Sequence, residues 1–454
     1  MNPRIGLVVI AHRDYQVDIA LDMARETVER LCTSRKSLGG GPGDKLASAL
    51  RPPEIVWREE AVSDPIRARE LAVELAGKDL DGVIFYLGTW IECPVAVAAI
   101  RELEHLPFAV WGFPQFGAPK QSTGSLVAEL VLAASLERMG YRFSKVTGLP
   151  GDEAAIEAGL AFARAAHAVK GLKRLRVGLF GYAAMGMYTG TVDHLLLRRI
   201  LGPEIVHFDT YSLIREAEKS SRAEIEATVA ELGRLAELGG ADDALLTKAA
   251  ILFIGLRKLT EQHRLDAVNV KCQYELSQEY GSIACIPCSL AAESGVVASC
   301  EGDVPTTVTM AALHLLTGRA VAYGDLLDYT ADSVLLSSCG FLPMSLAKSK
   351  PRILDIGHPG FEGLIVSAVF EEGPVTLARF YETRGGFGLI ASAGEVIQSE
   401  LRGGRFPAAR VCLSNVPTLL DRMPSQHLAL CYGDVTRELA LLCRFLGVEF
   451  LEVK

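Results

Sequence analysis

Ile5-Gly6-Leu7-Val8-Val9-Ile10-Ala11, ending at His12-Arg13-Asp14, is the stretch that decides the fold. A continuous apolar run, without polar alternation, predicts a strand buried on both faces. Val17, Leu21, Ala24 and Val28 follow on one side of a helix. Strand then helix is the opening of a doubly wound parallel sheet. The rhythm continues. Val83 to Leu87 reads as a strand ending at Gly88-Thr89-Trp90, Pro94 to Leu103 as a helix and Phe108 to Trp111 as another strand. Residues 124–139 and 152–169 read as helices. Gly39 to Asp44 reads as a loop, and it lacks the Lys-Ser/Thr of a phosphate-cradling loop.

A second unit begins near Leu172. Arg176 to Phe180 reads as a strand, Gly181 to Met187 as a Gly-bearing loop, and residues 191–201, 222–234 and 242–263 as helices before a strand at Asp266 to Val270. Gly178-x-x-Gly181 does not match the dinucleotide fingerprint, so NAD binding is not expected. After about residue 350 the pattern turns to strands separated by Gly and Pro: Arg352 to Ile356, Leu364 to Phe370, Val375 to Tyr381 and Gly388 to Ala391. The chain closes with a strand at Leu428 to Tyr432, a helix at Val435 to Leu446 and a strand at Val448 to Val453. The predicted fold is α/β: two doubly wound parallel-sheet domains, 1–170 and 171–297, followed by a C-terminal β-rich, barrel-like domain, 298–454.

Composition narrows the function classes. Apolar residues make up 49% and charged residues 22%, a globular balance. A net charge of -9 without a basic cluster argues against nucleic acid. No apolar run reaches the ~18 residues of a membrane span. The apolar run after Arg4 ends in charged residues, not in a cleavage site, so no signal peptide is expected. Ten cysteines without an export signal predict reduced thiols in the cytoplasm. Cys285-Ile286-Pro287-Cys288 has no second CxxC to pair with and reads as buried, spectator thiols.

The chemistry concentrates at Ser299-Cys300-Glu301-Gly302-Asp303-Val304-Pro305, two carboxylates in a Gly-centred turn between a strand and a helix. A metal-assisted sugar site needs hard oxygen ligands, often one imidazole, and open positions for substrate. Three segments offer these: Gln273-Tyr274-Glu275, Cys300-Glu301-Gly302-Asp303, and Gln426-His427. Asp303 precedes Pro305 and Thr306 at a helix start, where partial positive charge favours the ionised carboxylate; capping the helix is the alternative role. Glu275 follows a strand expected to end near Lys271, and Glu279 lies one helical turn on, so the residue types leave both open.

Together these segments resemble the L-fucose isomerase family and, more distantly, the L-arabinose isomerases. The matching stretches are Val270 to Leu276, Ala298 to Val304 with the later Leu-Leu-Thr-Gly, Gln426-His427 and Tyr432-Gly433-Asp434, joined by Met185-Gly186-Met187 and Gly88-Thr89-Trp90. The resemblance implies a divalent ion, Mn²⁺ or another such as Mg²⁺ or Co²⁺, on Glu275, Asp303 and His427. Glu275 and Asp303 would also carry protons, with Glu301 supporting them. It implies sugar contacts from Trp90 and Met185, and a cytoplasmic homo-oligomer, trimer or hexamer, acting on a small-molecule sugar. Arg13, Arg384 and Lys271 are candidates to meet a charged substituent. The chain departs from the family at Ser337-Ser338-Cys339-Gly340, where many relatives carry a His. His358 is a possible substitute, and the substrate could be another aldose, a sugar phosphate or a sulfonated sugar.

The expected reaction is aldose–ketose isomerisation through a metal-chelated ene-diol. Epimerisation or aldol cleavage with the same ligands is the alternative within enzymes, and a non-catalytic sugar-binding protein the alternative outside them.

Overall fold

A computed structural model describes residues 2–34 and 52–454. The loop predicted over Gly39 to Asp44 lies outside the described residues. The chain divides into two compact units. The first holds residues 52–171, the preceding N-terminal segment and a late segment, Arg437–Gly447. The second runs over Leu172–Thr436 and takes the last strand, in Val448–Lys454.

The first unit is built on five parallel strands: β1 (Arg4–Ile10), β2 (Glu54–Val62), β3 (Gly82–Leu87), β4 (Phe108–Gly112) and β5 (Ser144–Thr147), in the order β2-β1-β3-β4-β5. Successive side chains of β1 point to opposite faces. Val8 and Ile10 join one buried cluster with Phe85 and Leu71, while Ile5, Leu7 and Val9 join another with Tyr86, Trp111 and Phe162. This two-sided burial is why the run had no polar alternation. Gly88 continues the hydrogen bonding of β3 towards Ile10 and lies so close to the first helix that a Cβ would stand 2.3 Å from that of Ala20.

The second unit has two parts. Its parallel sheet contains β6 (Arg176–Phe180), β7 (Glu204–Phe208), β8 (Ala267–Val270) and β9 (Val297–Cys300) in the order β7-β6-β8-β9. Beyond the helix Val304–Thr317 come β10 (Ala322–Tyr329), β11 (Ser333–Ser337), β12 (Arg352–Asp355), β13 (Leu364–Ser367), β14 (Gly373–Thr383), β15 (Gly386–Ile397), β16 (Ala408–Leu413), β17 (His427–Tyr432) and β18 (Glu449–Glu452). The order β14-β17-β10-β11-β16-β15, with β14 also paired to β15, closes an antiparallel barrel. Closure removes the exposed sheet edges. β18 adds to β15 in parallel.

The fold is the predicted α/β class with a C-terminal barrel. Some strands differ. The barrel begins at Ala322, earlier than the change of rhythm near residue 350 suggests, because Ala322–Tyr329 carries Gly324 and two aspartates in place of an apolar run. Arg352–Asp355 and Leu364–Ser367 pair with each other as a separate two-stranded ribbon and are not barrel strands. The strands β2 and β7 have no counterpart in the sequence reading. Each lies at one end of its parallel sheet and is partly exposed, so charged residues interrupt the apolar signature.

Candidate active site

Ligands of parallel sheets bind beyond the carboxyl ends of the strands. In the second unit those ends carry Lys271 after β8 and Glu301 after β9. Glu301 and Gly302 both adopt left-handed backbone, φ 69° and 71°. A Cβ at position 302 would meet the Tyr182 carbonyl oxygen at 2.1 Å, so only glycine fits. A non-glycine residue in this conformation costs about 1 kcal/mol or more and survives where its surroundings hold it. Here buried Asn269 is the brace. Its Oδ1 accepts from Gly302 N at 2.7 Å, and its Nδ2 donates to Ser299 Oγ, Thr307 Oγ1 and the Asp303 carbonyl at 3.0, 2.9 and 3.2 Å. Asn269 belongs to no motif in the sequence; its signal is a polar residue inside the apolar run Ala267–Val270.

Asp303 caps the helix Val304–Thr317, its Oδ1 accepting from Thr306 N at 3.0 Å. Both of its oxygens also accept from the buried guanidinium of Arg379 on β14, Nη1 to Oδ2 at 2.8 Å and Nη2 to Oδ1 at 3.2 Å. His427 Nδ1 lies 2.8 Å from Oδ2. The lone-pair directions of this carboxylate are therefore occupied. Burial alone would raise its pKa, but His427 and Arg379 outweigh burial and lower it to about 2. Arg379 reaches further, donating from Nη1 to Thr306 Oγ1 and from Nη2 to the Thr189 carbonyl at 3.0 Å. Cap and ion pair coexist: the structure assigns Asp303 both roles.

His427 is fully buried at the start of β17, opposite Asp325 of β10. Its Nε2 makes no well-formed hydrogen bond, although Asp325 Oδ1 and Glu301 Oε2 lie 3.2 and 3.3 Å away. Burial pulls the imidazole pKa down. Asp303, Asp325 and Glu301 around it prevail and hold it well above its ordinary value. Glu301 shows the opposite balance. Burial pushes its carboxyl above the usual range, and His427 offsets only part of that.

Glu275 begins a short π-helical segment, Glu275–Tyr280, and its carboxylate is partly exposed. It pairs with the fully buried ammonium of Lys271 and accepts from Tyr182 Oη at 3.2 Å. Lys271 also lies over the Tyr182 ring, 4.1 Å from its centre. Burial would raise the Glu275 pKa, but Lys271 prevails and lowers it. Met185 is exposed on the 181–190 loop, again with left-handed backbone, φ 47°. Trp90 and Arg13 belong to the first unit. Trp90 packs with His12 and Tyr15 at 5.8 and 6.3 Å, while the Arg13 side chain is 83% exposed.

The structure thus brings Asp303 and His427 together and pairs Glu275 with Lys271 instead. The donor set expected for Mn²⁺, Glu275, Asp303 and His427, does not fit one ion. The oxygens of Asp303 are spent on Arg379, Thr306 and His427, and Glu275 is neutralised by Lys271. Among the described residues, the one group of three whose ligand atoms all lie within 4.8 Å of one another is Cys300, Glu301 and Cys339. His358 is not among them; its Nδ1 lies 2.9 Å from the Pro359 carbonyl oxygen.

The chain is similar to sulfoquinovose isomerases. The protein of that name from Priestia aryabhattai is 25% identical over 405 residues, covering 87% of this chain and 90% of the relative. That from Alkalicoccus urumqiensis is 25% identical over 393 residues, 82% and 86% of the two chains. A third, from Clostridium sp. (strain MSTE9), is 23% identical over 378 residues, 79% and 80% of the two chains. No protein-family model matches. By name these relatives are sugar isomerases, as are the L-fucose isomerases that the motifs resemble. Among the described residues, no helix is long and apolar enough to cross a membrane.

Proposed function

We propose that the protein is an aldose–ketose isomerase acting on a sulfonated hexose of the sulfoquinovose class. The observation that carries the reading is Glu301, a buried carboxyl raised above its usual range and 3.3 Å from His427 Nε2. Similarity to sulfoquinovose isomerases along most of the chain supports the substrate class.

Isomerisation moves one proton from C2 to C1 and one from the C2 hydroxyl to the C1 oxygen. A carboxylate raised by burial is a stronger base than an ordinary one, so the gap to the C2 proton narrows. Glu301 takes that proton and returns it at C1. His427, aimed by Asp303, sits beside the negative charge that develops on the ene-diolate oxygens. Glu275, ionised between Lys271 and Tyr182, handles the hydroxyl proton. Asp303 changes role relative to the sequence expectation: it holds His427 and leaves proton transfer to Glu301.

Sulfoquinovose, glucose 6-phosphate and glucose incubated with the protein in deuterium oxide, with and without added divalent ions, test the reading by NMR. The sulfonated sugar should yield ketose with deuterium at C1, faster than the other two. Glu301→Gln should slow turnover by about 10²–10⁴-fold. Absence of both ketose and exchange from all three sugars would overturn the proposal.

A further inference from the structure

Beside Glu301 stands a group of thiols that the reaction above does not use. Cys300 ends β9, Cys339 follows β11, and Cys285 opens the helix Cys285–Glu293. Ligand atoms of Cys300, Glu301 and Cys339 lie within 4.8 Å of one another, and Glu301 in turn lies 3.3 Å from His427 Nε2. That Nε2 is buried without a well-formed hydrogen bond, and Nδ1 of the same ring is already committed to Asp303. Glu301 thus stands between two sulfur donors and a His427 ring whose nitrogens already face Asp303 and Asp325.

Two sulfurs with one carboxylate oxygen are a donor set for a soft or borderline ion, not for Mg²⁺ or Mn²⁺. A tetrahedral ion with ~2.3 Å metal–sulfur bonds holds its sulfurs about 3.8 Å apart. Cys300 Sγ would give up its contact with Tyr323 Oη, now 2.7 Å. We propose that Cys300, Cys339 and Glu301 bind a thiophilic divalent cation of the Zn²⁺ class, with the fourth position open to water. Both thiol protons pass to solvent as the ion binds. Cys339 is only partly buried, which gives the ion a way in.

This site removes Glu301 from the pool of free bases, so turnover by the route above should fall as the site fills. That consequence rests on the proposed function; the binding test does not. Co²⁺ titrated into the intact, metal-free protein should give a near-ultraviolet thiolate-to-cobalt band that saturates at one ion per chain. Cys339→Ser should abolish the band, Cys300→Ser should weaken it, and Cys93→Ser, in the other unit, should leave it unchanged. Zn²⁺ should also protect Cys339 of the unaltered protein from alkylation, a measurement that needs no variant. Co²⁺ binding without a thiolate band, or Cys339 alkylated equally fast with and without Zn²⁺, would overturn the assignment.

Discussion

The two parallel sheets are built by the same rule and finish differently. At the carboxyl ends of β1 and β3 in the first unit stand His12, Tyr15, Thr89 and Trp90, a cluster of rings in which buried Thr89 accepts from His12 N at 2.8 Å. Of the buried carboxylates of that unit, Glu129 reaches the last residue of β5, accepting from Thr147 Oγ1 at 2.6 Å, while Asp81 lies at the other end, just before β3. Its Oδ2 accepts from Arg4 N at 2.9 Å and faces His167 Nδ1 at 3.0 Å, and Lys170 lies 2.9 Å from Oδ1. In the second unit the buried charges Lys271, Glu301 and Asp303 crowd the carboxyl ends. A buried charge at the amino end of a strand ties elements together. At the carboxyl end it faces the region where ligands of such sheets bind. The contrast is sharpest between Asp81 and Asp303, two buried carboxylates at opposite strand ends.

Arg379→Met puts the most strain on that contrast. It strips Asp303 of its cation inside the protein, and breaking a buried pair from one side costs about 3–5 kcal/mol. The urea-unfolding transition of the second unit should move to lower concentration, and activity should fall with it. An unmoved transition would mean that the pair is dispensable.

Asp81→Asn should cost less, about 1–3 kcal/mol, because the change removes charge-assisted hydrogen bonds while leaving a polar side chain in place. Burial would raise the Asp81 pKa, but His167, Arg4 and Lys170 prevail and lower it. A lowered folded-state pKa contributes stability above the unfolded value near 3.8, and that contribution is lost as pH falls through the folded value. The two proteins should therefore differ most near neutral pH and converge in acid. A constant gap down to the lowest pH at which the protein folds would show that Asp81 acts through packing alone.

Thr89→Val should have the smallest effect, about 1 kcal/mol, from the lost bond to His12 N. Its cost should not vary with pH, since no charge is involved. A marked pH dependence would erase the distinction between the two strand ends.

How much of this was legible in the residues follows from burial. β1 announced itself because both of its faces are covered, whereas β2 and β7, at the sheet ends, carry charges that break the pattern. The turn at Cys300 to Asp303 was legible from glycine and proline spacing, and the pairing of Asp303 with a helix start from Pro305. Arg379 was not. It lies in the middle of an otherwise apolar barrel strand, and no local pattern tells an arginine on a surface from one that neutralises a carboxylate 76 positions away. The thiol group was equally hidden: Cys300 and Cys339 share no motif, and the one visible CxxC contributes only Cys285 to it.

The late segment Arg437–Gly447 belongs to the first unit, while the strand after it returns to the second. Its helix packs Phe445 on Phe162, with ring centres 5.9 Å apart, and pairs Glu438 with Arg164. During synthesis the first unit therefore stays incomplete until nearly the whole chain has been translated. A released chain ending at Thr436 would hold every strand of the closed barrel and lack the helix that completes the first unit.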